Sequence, residues 1–167
     1  PAQDQSWRLF LPSEHFATGL MNEEVLDRLR QGKMLLSIGA GPAYLEQFLV
    51  RECGIAASQI SVADINDHVS HDGFERHVFD MTAEWPVFHR KFDYVLFPSS
   101  FTCIAQRHPE TWTGDGDSKR AEECRRVLRN ALSWLEPGGE IRIDWRYLAP
   151  SQFFWVGALL LGQEPTA

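Results

Sequence analysis

Residues 34–46 constrain the fold of this chain most, because they join an apolar segment to a glycine-rich turn and then to helical spacing. Met34–Ile38 has one polar residue in five, which is typical of the buried first strand of a parallel sheet. Gly39 and Gly41 allow a sharp turn and close approach to a ligand. After the turn, apolar residues recur at spacings of three and four until Gly54. The pattern predicts a strand, a loop and a helix whose N-terminus points at the ligand.

A turn of this kind favours nucleotide-like ligands, because free backbone N–H groups and the helix dipole attract negative charge. A dinucleotide-binding loop reads G-x-G-x-x-G, and Tyr44 stands here at the position of the third glycine. A nicotinamide-dependent oxidoreductase is therefore one alternative, with an incomplete motif. An ordinary turn between strand and helix, with no ligand, is another.

Composition narrows the classes of partner. The hydrophobic fraction of 44% in 167 residues predicts one folded domain and argues against disorder. The net charge of −7 disfavours nucleic acid as a partner, since binding to phosphates needs a basic face. No apolar run reaches the length of a membrane span, and no basic stretch precedes an apolar one at the N-terminus. We therefore expect no membrane partner.

The three cysteines, Cys53, Cys103 and Cys124, are scattered without C-x-x-C spacing. Their odd number and wide separation indicate buried thiols in a reducing compartment. We therefore expect a cytoplasmic location.

Acidic residues follow two further apolar segments. Residues 59–64 alternate in polarity and end at Asp64, and residues 77–80 read as a brief third strand with an acid, Asp80, after it. In doubly wound folds, an acid about 20 residues after the glycine loop accepts hydrogen bonds from ribose hydroxyls, and Asp64 lies in that window. The alternatives are a solvated turn for Asp64 and a helix cap for Asp80.

The polar stretch 66–77 contains three histidines and two aspartates, which raises the question of a metal site. No histidine pair has the i, i+4 spacing of a zinc helix, and no cysteine lies among them. We therefore expect no metal, and a polar crossover in this stretch.

Three motifs together resemble class I S-adenosylmethionine-dependent methyltransferases. They are G-x-G-P-A at 39–43, F-D-x-V at 92–95 with Pro98 after the strand, and L-x-P-G-G at 135–139 before a last strand. The resemblance covers about residues 33 to 145. It departs at Ser37, where those enzymes usually carry an acid near the methionine amino group.

The resemblance implies S-adenosylmethionine as the cofactor and assigns residues to it. Asp64 would bind the ribose, Asp80 the adenine amino group and the Met81 N–H the adenine ring. The full set of cofactor-binding residues is Ser37, Gly39, Ala40, Gly41, Asp64, Ile65, Asp80, Met81 and Pro98. The segment after Pro98 lacks the N-P-P-Y signature of nucleobase methylation, which favours another small acceptor.

The remaining elements complete the sheet. Residues 102–117 are predicted to form a substrate loop, in which His108 or Asp115 is our choice for a general base. A long helix is predicted from Ser118, and Glu136–Gly139 would end it before a fifth strand at 140–145. The expected fold is a doubly wound α/β domain with a mainly parallel sheet in the order 3-2-1-4-5.

The C-terminal region differs from the family, because 22 residues after Trp145 are too few for the usual last two strands. The sequence predicts a lead-in and helix over 1–32 and a Rossmann-like cofactor-binding unit over 33–167, in one domain. An open edge at the fifth strand and the apolar run 153–161 predict a homodimer, or a longer parent protein.

The function predicted from these patterns is methyl transfer from S-adenosylmethionine to a small-molecule acceptor. The sequence does not identify the acceptor, and transfer of another arm of the same cofactor stays open. A non-catalytic domain that binds S-adenosylmethionine or a partner chain is the alternative that Ser37 and the short C-terminus support.

Overall fold

The computed structural model describes residues 13–67, 73–98, 100–101 and 115–144, with side chains from 122 onward in the last range. The strands are β1 (Leu35–Ile38), β2 (Ile60–Asp64), β3 (Glu75–Val78), β4 (Phe92–Phe97) and β5 (Leu135–Ile143). The helices are α1 (Glu23–Arg30), α2 (Tyr44–Arg51), α3 (Asp115–Ser133) and a 3₁₀ turn at Ala57–Gln59. Residues 13–17 are also helical.

The five strands form one sheet in the order β3-β2-β1-β4-β5, and every neighbouring pair is parallel. The predicted doubly wound α/β fold and strand order are therefore confirmed. The predictions for the segment after residue 144, including the apolar run 153–161, lie outside the described residues.

Helix α1 forms where the sequence predicts it. The side chain of Asn22 accepts a hydrogen bond from the Val25 N–H at 2.9 Å, so it caps the helix N-terminus. Val25, Leu26 and Leu29 lie on one buried face, which follows from their three-four spacing. The helix therefore packs its apolar face on the sheet and delivers the chain to β1.

Helices cover the sheet on both faces. Leu35 and Leu36 point to opposite faces, as neighbouring strand residues must, and each is fully buried. Helices α1 and α2 cover the face of Leu35, and α3 covers the face of Leu36. Buried central strands with two covered faces explain the nearly continuous apolar runs of β1 and β4.

Aromatic rings fill much of the core under α3. Phe88 meets Phe92 and Trp134 edge to face, with ring centroids 5.5 and 4.9 Å apart. Near the ligand edge, Phe97 contacts Phe101 in the same way at 5.5 Å. The contact between Phe97 and Phe101 holds the segment after β4 against the sheet.

Strand β5 differs from the prediction. It begins at Leu135 and contains Glu136–Gly139, whereas the sequence pattern predicts a turn at these residues before the strand. Leu135 pairs with Phe92 and Glu140 with Tyr94, so residues 136–139 bulge opposite one residue of β4. The Pro-Gly-Gly segment is therefore a bulge in the strand and not a separate turn.

Two other element boundaries also differ. Strand β3 ends at Val78, so Phe79 and Asp80 follow the strand and do not belong to it. Helix α3 begins at Asp115, before the predicted Ser118, and Asp115 is therefore not in a loop.

In the described ranges, no helix has the length and apolar character that a membrane span requires.

Candidate functional site

The carboxyl ends of β1 and β2 are joined directly through backbone hydrogen bonds of the glycine loop. The N–H groups of Gly39 and Ala40 both donate to the Ala63 carbonyl, at 2.7 and 3.1 Å. The loop is therefore fixed to the end of β2, where Asp64 follows.

The Asp64 carboxylate holds the loop in place. Its Oδ2 accepts a hydrogen bond from the Gly41 N–H at 2.8 Å, and its Oδ1 accepts one from the Asn66 N–H at 3.0 Å. Ile65, the next predicted site residue, is 62% exposed. Asp64 and the glycine loop thus lie together, as a shared ligand site requires.

The loop needs left-handed backbone conformations at three positions. Gly39 has φ +74° and Gly41 has φ +55°, both of which suit glycine. Ala43 has φ +57° and forms the N-cap of α2, where no side chain caps the helix. A hydrogen bond of 2.9 Å from the Ala43 N–H to the Ala40 carbonyl closes the turn. The N-terminus of α2 is therefore brought to the loop.

The segment after β4 packs on the loop through Ser100, which the sequence analysis did not identify. The buried Ser100 hydroxyl donates to the Ile38 carbonyl at 2.5 Å. A Cβ atom on Gly39 would lie 2.2 Å from the Ser100 Cβ, so only glycine fits there. Pro98, in the same segment, is half-buried. Gly39 is therefore required because Ser100 of the same protein lies close to it.

Asp80 lies beside the end of β2 and caps a turn. The Phe79 N–H donates to the Asp64 carbonyl at 3.1 Å, which brings the two acidic residues to neighbouring positions. Asp80 Oδ1 accepts hydrogen bonds from the backbone N–H and the hydroxyl of Thr82, at 2.9 and 2.8 Å. Asp80 therefore caps a turn, and no helix begins here as the capping alternative had it. The Met81 carbonyl accepts from the Trp85 indole at 2.8 Å.

The described part of the structure does not place either candidate general base at this edge of the sheet. His108 lies outside the described residues, and Asp115 begins α3. Among the described residues, no group of three or more potential ligands is arranged to hold a metal ion.

A buried polar cluster lies under the loop, and sequence reasoning identified only one of its members, Ser37. Ser37 on β1 is fully buried, and Glu46 in the first turn of α2 is 1% exposed. His15 Nδ1 lies 3.5 Å from Asp144 Oδ2, and both residues are buried. Glu46 immediately follows Leu45 and precedes Leu49 by three residues, so its place on the buried stripe of α2 was a readable signal.

Glu46 is the unusual member of this cluster. Burial raises the pKa of its carboxyl, and this effect outweighs the Ser37 hydroxyl, the helix N–H and the charge of His15, which lower it. Within the described part of the chain, Glu46 Oε1 and Ser37 Oγ have no hydrogen-bond partner of good geometry. Such buried acceptors normally have a partner, and their lack of one needs an explanation.

Comparison with solved structures finds similar folds among methyltransferases. The CcbJ methyltransferase from Streptomyces caelestis is 14% identical, with a TM-score of 0.52 over 79% of this chain and 48% of that one. CalS10, an amino pentose methyltransferase from Micromonospora echinaspora, is 18% identical, with a TM-score of 0.55 over 90% and 58%. The sugar N-methyltransferase KedS8 from Streptoalloteichus sp ATCC 53650 is 18% identical, with a TM-score of 0.55 over 89% and 54%.

No protein-family model and no curated protein matches the chain. The chain spans about half the length of the solved structures that it resembles. Its parallel sheet and strand order agree with those structures at the level of the fold. The chain therefore has the Rossmann-like fold of class I S-adenosylmethionine-dependent methyltransferases.

Proposed function

We propose that this protein binds S-adenosylmethionine and transfers its methyl group to a small-molecule acceptor. One observation carries the proposal: at the edge where β1 and β2 end, the Asp64 carboxylate is bonded to the glycine loop at 2.8 Å. In a doubly wound fold, this edge is where nucleotide-like ligands bind.

The residues at this edge fit the cofactor. A Cβ atom placed on Gly41 would meet no atom of the described residues within 4 Å, so the loop has open space beside it. Asp64 is partly exposed and has oxygen acceptors for ribose hydroxyls. Asp80 and the Met81 N–H follow β3 and are our candidates for the adenine edge.

When bound, S-adenosylmethionine supplies a methyl group that its sulfonium already activates. The residues of this chain then need mainly to orient the donor and the acceptor and to exclude water. Pro98, which follows β4 at the same edge, is our candidate to border the reacting groups. His108 is the candidate general base.

A small acceptor is supported by the comparisons, since CalS10 is an amino pentose methyltransferase and KedS8 is a sugar N-methyltransferase. A second candidate function is binding of the cofactor without catalysis. It is favoured by Ser37, which stands where similar enzymes usually carry an acid near the methionine amino group.

Calorimetric titration with S-adenosylhomocysteine and with NAD⁺ tests the proposal. We expect S-adenosylhomocysteine to bind and Gly41→Val to abolish binding, because the new side chain enters the open space beside the loop. Gly32→Val is a matched control, since Gly32 also has a positive φ and open surroundings but lies at the end of α1. Binding of NAD⁺ alone would contradict the proposal.

Transfer of labelled methyl groups to a panel of amino sugars separates the two candidates. Binding without transfer to any acceptor would favour the non-catalytic function.

We also propose a cytoplasmic homodimer. Within the described ranges, β5 is the outer strand of the sheet and pairs only with β4, which leaves an edge for a second copy. Cys53 and Cys124 are free thiols, in keeping with a reducing compartment.

A further inference from the structure

Glu46 is placed where a carboxylate opposes folding. It is 1% exposed, its Oε1 has no hydrogen-bond partner in the described part of the chain, and burial disfavours its charged form. A glutamine or an apolar residue would fill the same space with a smaller penalty. A buried acid that does not stabilise the fold is a candidate for a functional role.

The position of Glu46 relates it to the ligand edge. It lies in the first turn of α2, directly after the glycine loop, and the Ser37 hydroxyl at the end of β1 is close enough to lower its pKa. Glu46 Oε1 has no hydrogen-bond partner of good geometry among the described residues, and the Ser37 hydroxyl beside the carboxyl can both donate and accept. The two side chains therefore leave a place for a group that donates hydrogen bonds.

The charge of the surroundings favours a cation as that group. The buried cluster contains two carboxyl groups, those of Glu46 and Asp144, and one imidazole, that of His15. A buried carboxylate is most stable beside a positively charged group that also donates hydrogen bonds. A compact ammonium brings both the charge and the donor that Glu46 Oε1 requires.

We infer that Glu46, assisted by Ser37, accepts the α-ammonium of the amino acid arm of S-adenosylmethionine. This inference rests on the proposed function and deepens it. Ser37 stands where similar enzymes usually carry an acid, and Glu46 supplies a carboxylate to that place from the following helix. The acid has thus moved from strand β1 to helix α2.

Glu46→Gln tests the inference, because it keeps the shape of the side chain and removes its charge. S-adenosylhomocysteine is titrated into the parent and the variant beside its desamino analogue, in which hydrogen replaces the amino group. We expect the variant to bind S-adenosylhomocysteine about 10- to 100-fold more weakly. Both proteins should bind the desamino analogue alike, because the amino group and the carboxylate act as a pair.

Glu52→Gln is the matched control, since Glu52 is exposed at the other end of α2. It should leave both affinities unchanged.

Moving the acid back to β1 gives a second, independent readout. In the Glu46→Gln background, Ser37→Asp should recover at least part of the lost affinity for S-adenosylhomocysteine and leave the affinity for the desamino analogue unchanged. A purely structural role of Glu46 predicts no such rescue.

Stability without ligand gives a third readout. Since its pKa is raised by burial, ionisation of Glu46 opposes folding at neutral pH. Glu46→Gln should therefore raise the melting temperature at pH 7 while it weakens binding. This result would also show that loss of affinity is not caused by unfolding.

The outcomes separate this inference from the proposed function. Equal weakening of both ligands by Glu46→Gln, or no weakening at all, would overturn the role of Glu46 and leave cofactor binding intact. Failure of the parent protein to bind S-adenosylhomocysteine would overturn both.

Discussion

Gly39→Ala should destabilise the protein more than a glycine-to-alanine substitution elsewhere in the glycine loop. The new Cβ would lie 2.2 Å from the Ser100 Cβ and 2.8 Å from its Oγ, and Ser100 is held by its bond to the Ile38 carbonyl. Insertion of an extra carbon into a packed site costs about 1–3 kcal/mol. The left-handed φ of +74° adds about 1–2 kcal/mol for a residue with a Cβ.

The expected loss is therefore about 2–5 kcal/mol, a large part of the roughly 5–15 kcal/mol by which a domain is stable. Gly41→Ala separates the two contributions, because Gly41 also has a positive φ but no described atom within 4 Å of its Cβ position. It should lose only about 1–2 kcal/mol from the backbone.

Denaturation with urea, extrapolated to water, measures both variants against the parent protein. The free energy of unfolding should fall by about 1–3 kcal/mol more for Gly39→Ala than for Gly41→Ala. Equal losses would show that the segment after β4 does not pack on the glycine loop, and would refute the description of the site.

Three further predictions concern ligand binding, pH and assembly. Asp64→Ala should weaken calorimetric binding of S-adenosylhomocysteine by about 1.5–3 kcal/mol, and a deoxyribose analogue should lose much less affinity on this variant than on the parent. Partial burial raises the pKa of Glu75, but a hydrogen bond with His77 and the charge of Arg90 outweigh it, so the net pKa lies below its usual value. Glu75 therefore stabilises the fold above its unfolded-state pKa, and this contribution is lost as the pH falls through the folded-state value. Glu75→Gln should lower the melting temperature at pH 7 and match the parent in strong acid, with a difference of at most about 1 kcal/mol. Light scattering should show a dimer that Trp155→Asp converts to a monomer; a monomeric parent protein would contradict the proposed assembly.

The parts of the fold that follow from local pattern could be read from the sequence. Strand β4 runs from Phe92 to Phe97, directly before Pro98 as predicted, and the helix expected within residues 1–32 forms as α1. The strand order followed from the alternation of strands and helices and from right-handed crossovers. Burial on both faces of the sheet makes such apolar runs conspicuous.

Features that depend on distant partners could not be read in this way. The bulge at Glu136–Gly139 arises from pairing with β4, and Gly139 is needed because a Cβ there would lie 2.9 Å from the Asp93 carbonyl oxygen. Ser100 meets a residue of β1 that is 62 positions earlier in the chain. No spacing rule within a single element predicts a contact between two elements.

In the candidate site too, some features follow from local sequence and others depend on distant partners. The glycine loop and Asp64 are close together, as their positions at strand ends predict, and they are joined at 2.8 Å. Glu46 was not singled out, because a single acid among apolar residues is ordinarily read as exposed. Its spacing of three from Leu49 is the signal in the sequence, and the packing of α2 on β1 shows that it is indeed buried.

The contact of Arg142 on β5 with the segment before α1 bears on the order of events during synthesis. Its guanidinium donates to the Gly19 and Leu20 carbonyls at 2.7 and 2.8 Å, across a separation of 122 residues to Leu20. His15 and Asp144 meet across the same junction. A ribosome must therefore release β5 before the early segment can dock, and closure of so long a chain loop is slow. The contact between His15 and Asp144 therefore cannot form on a nascent chain until β5 has emerged.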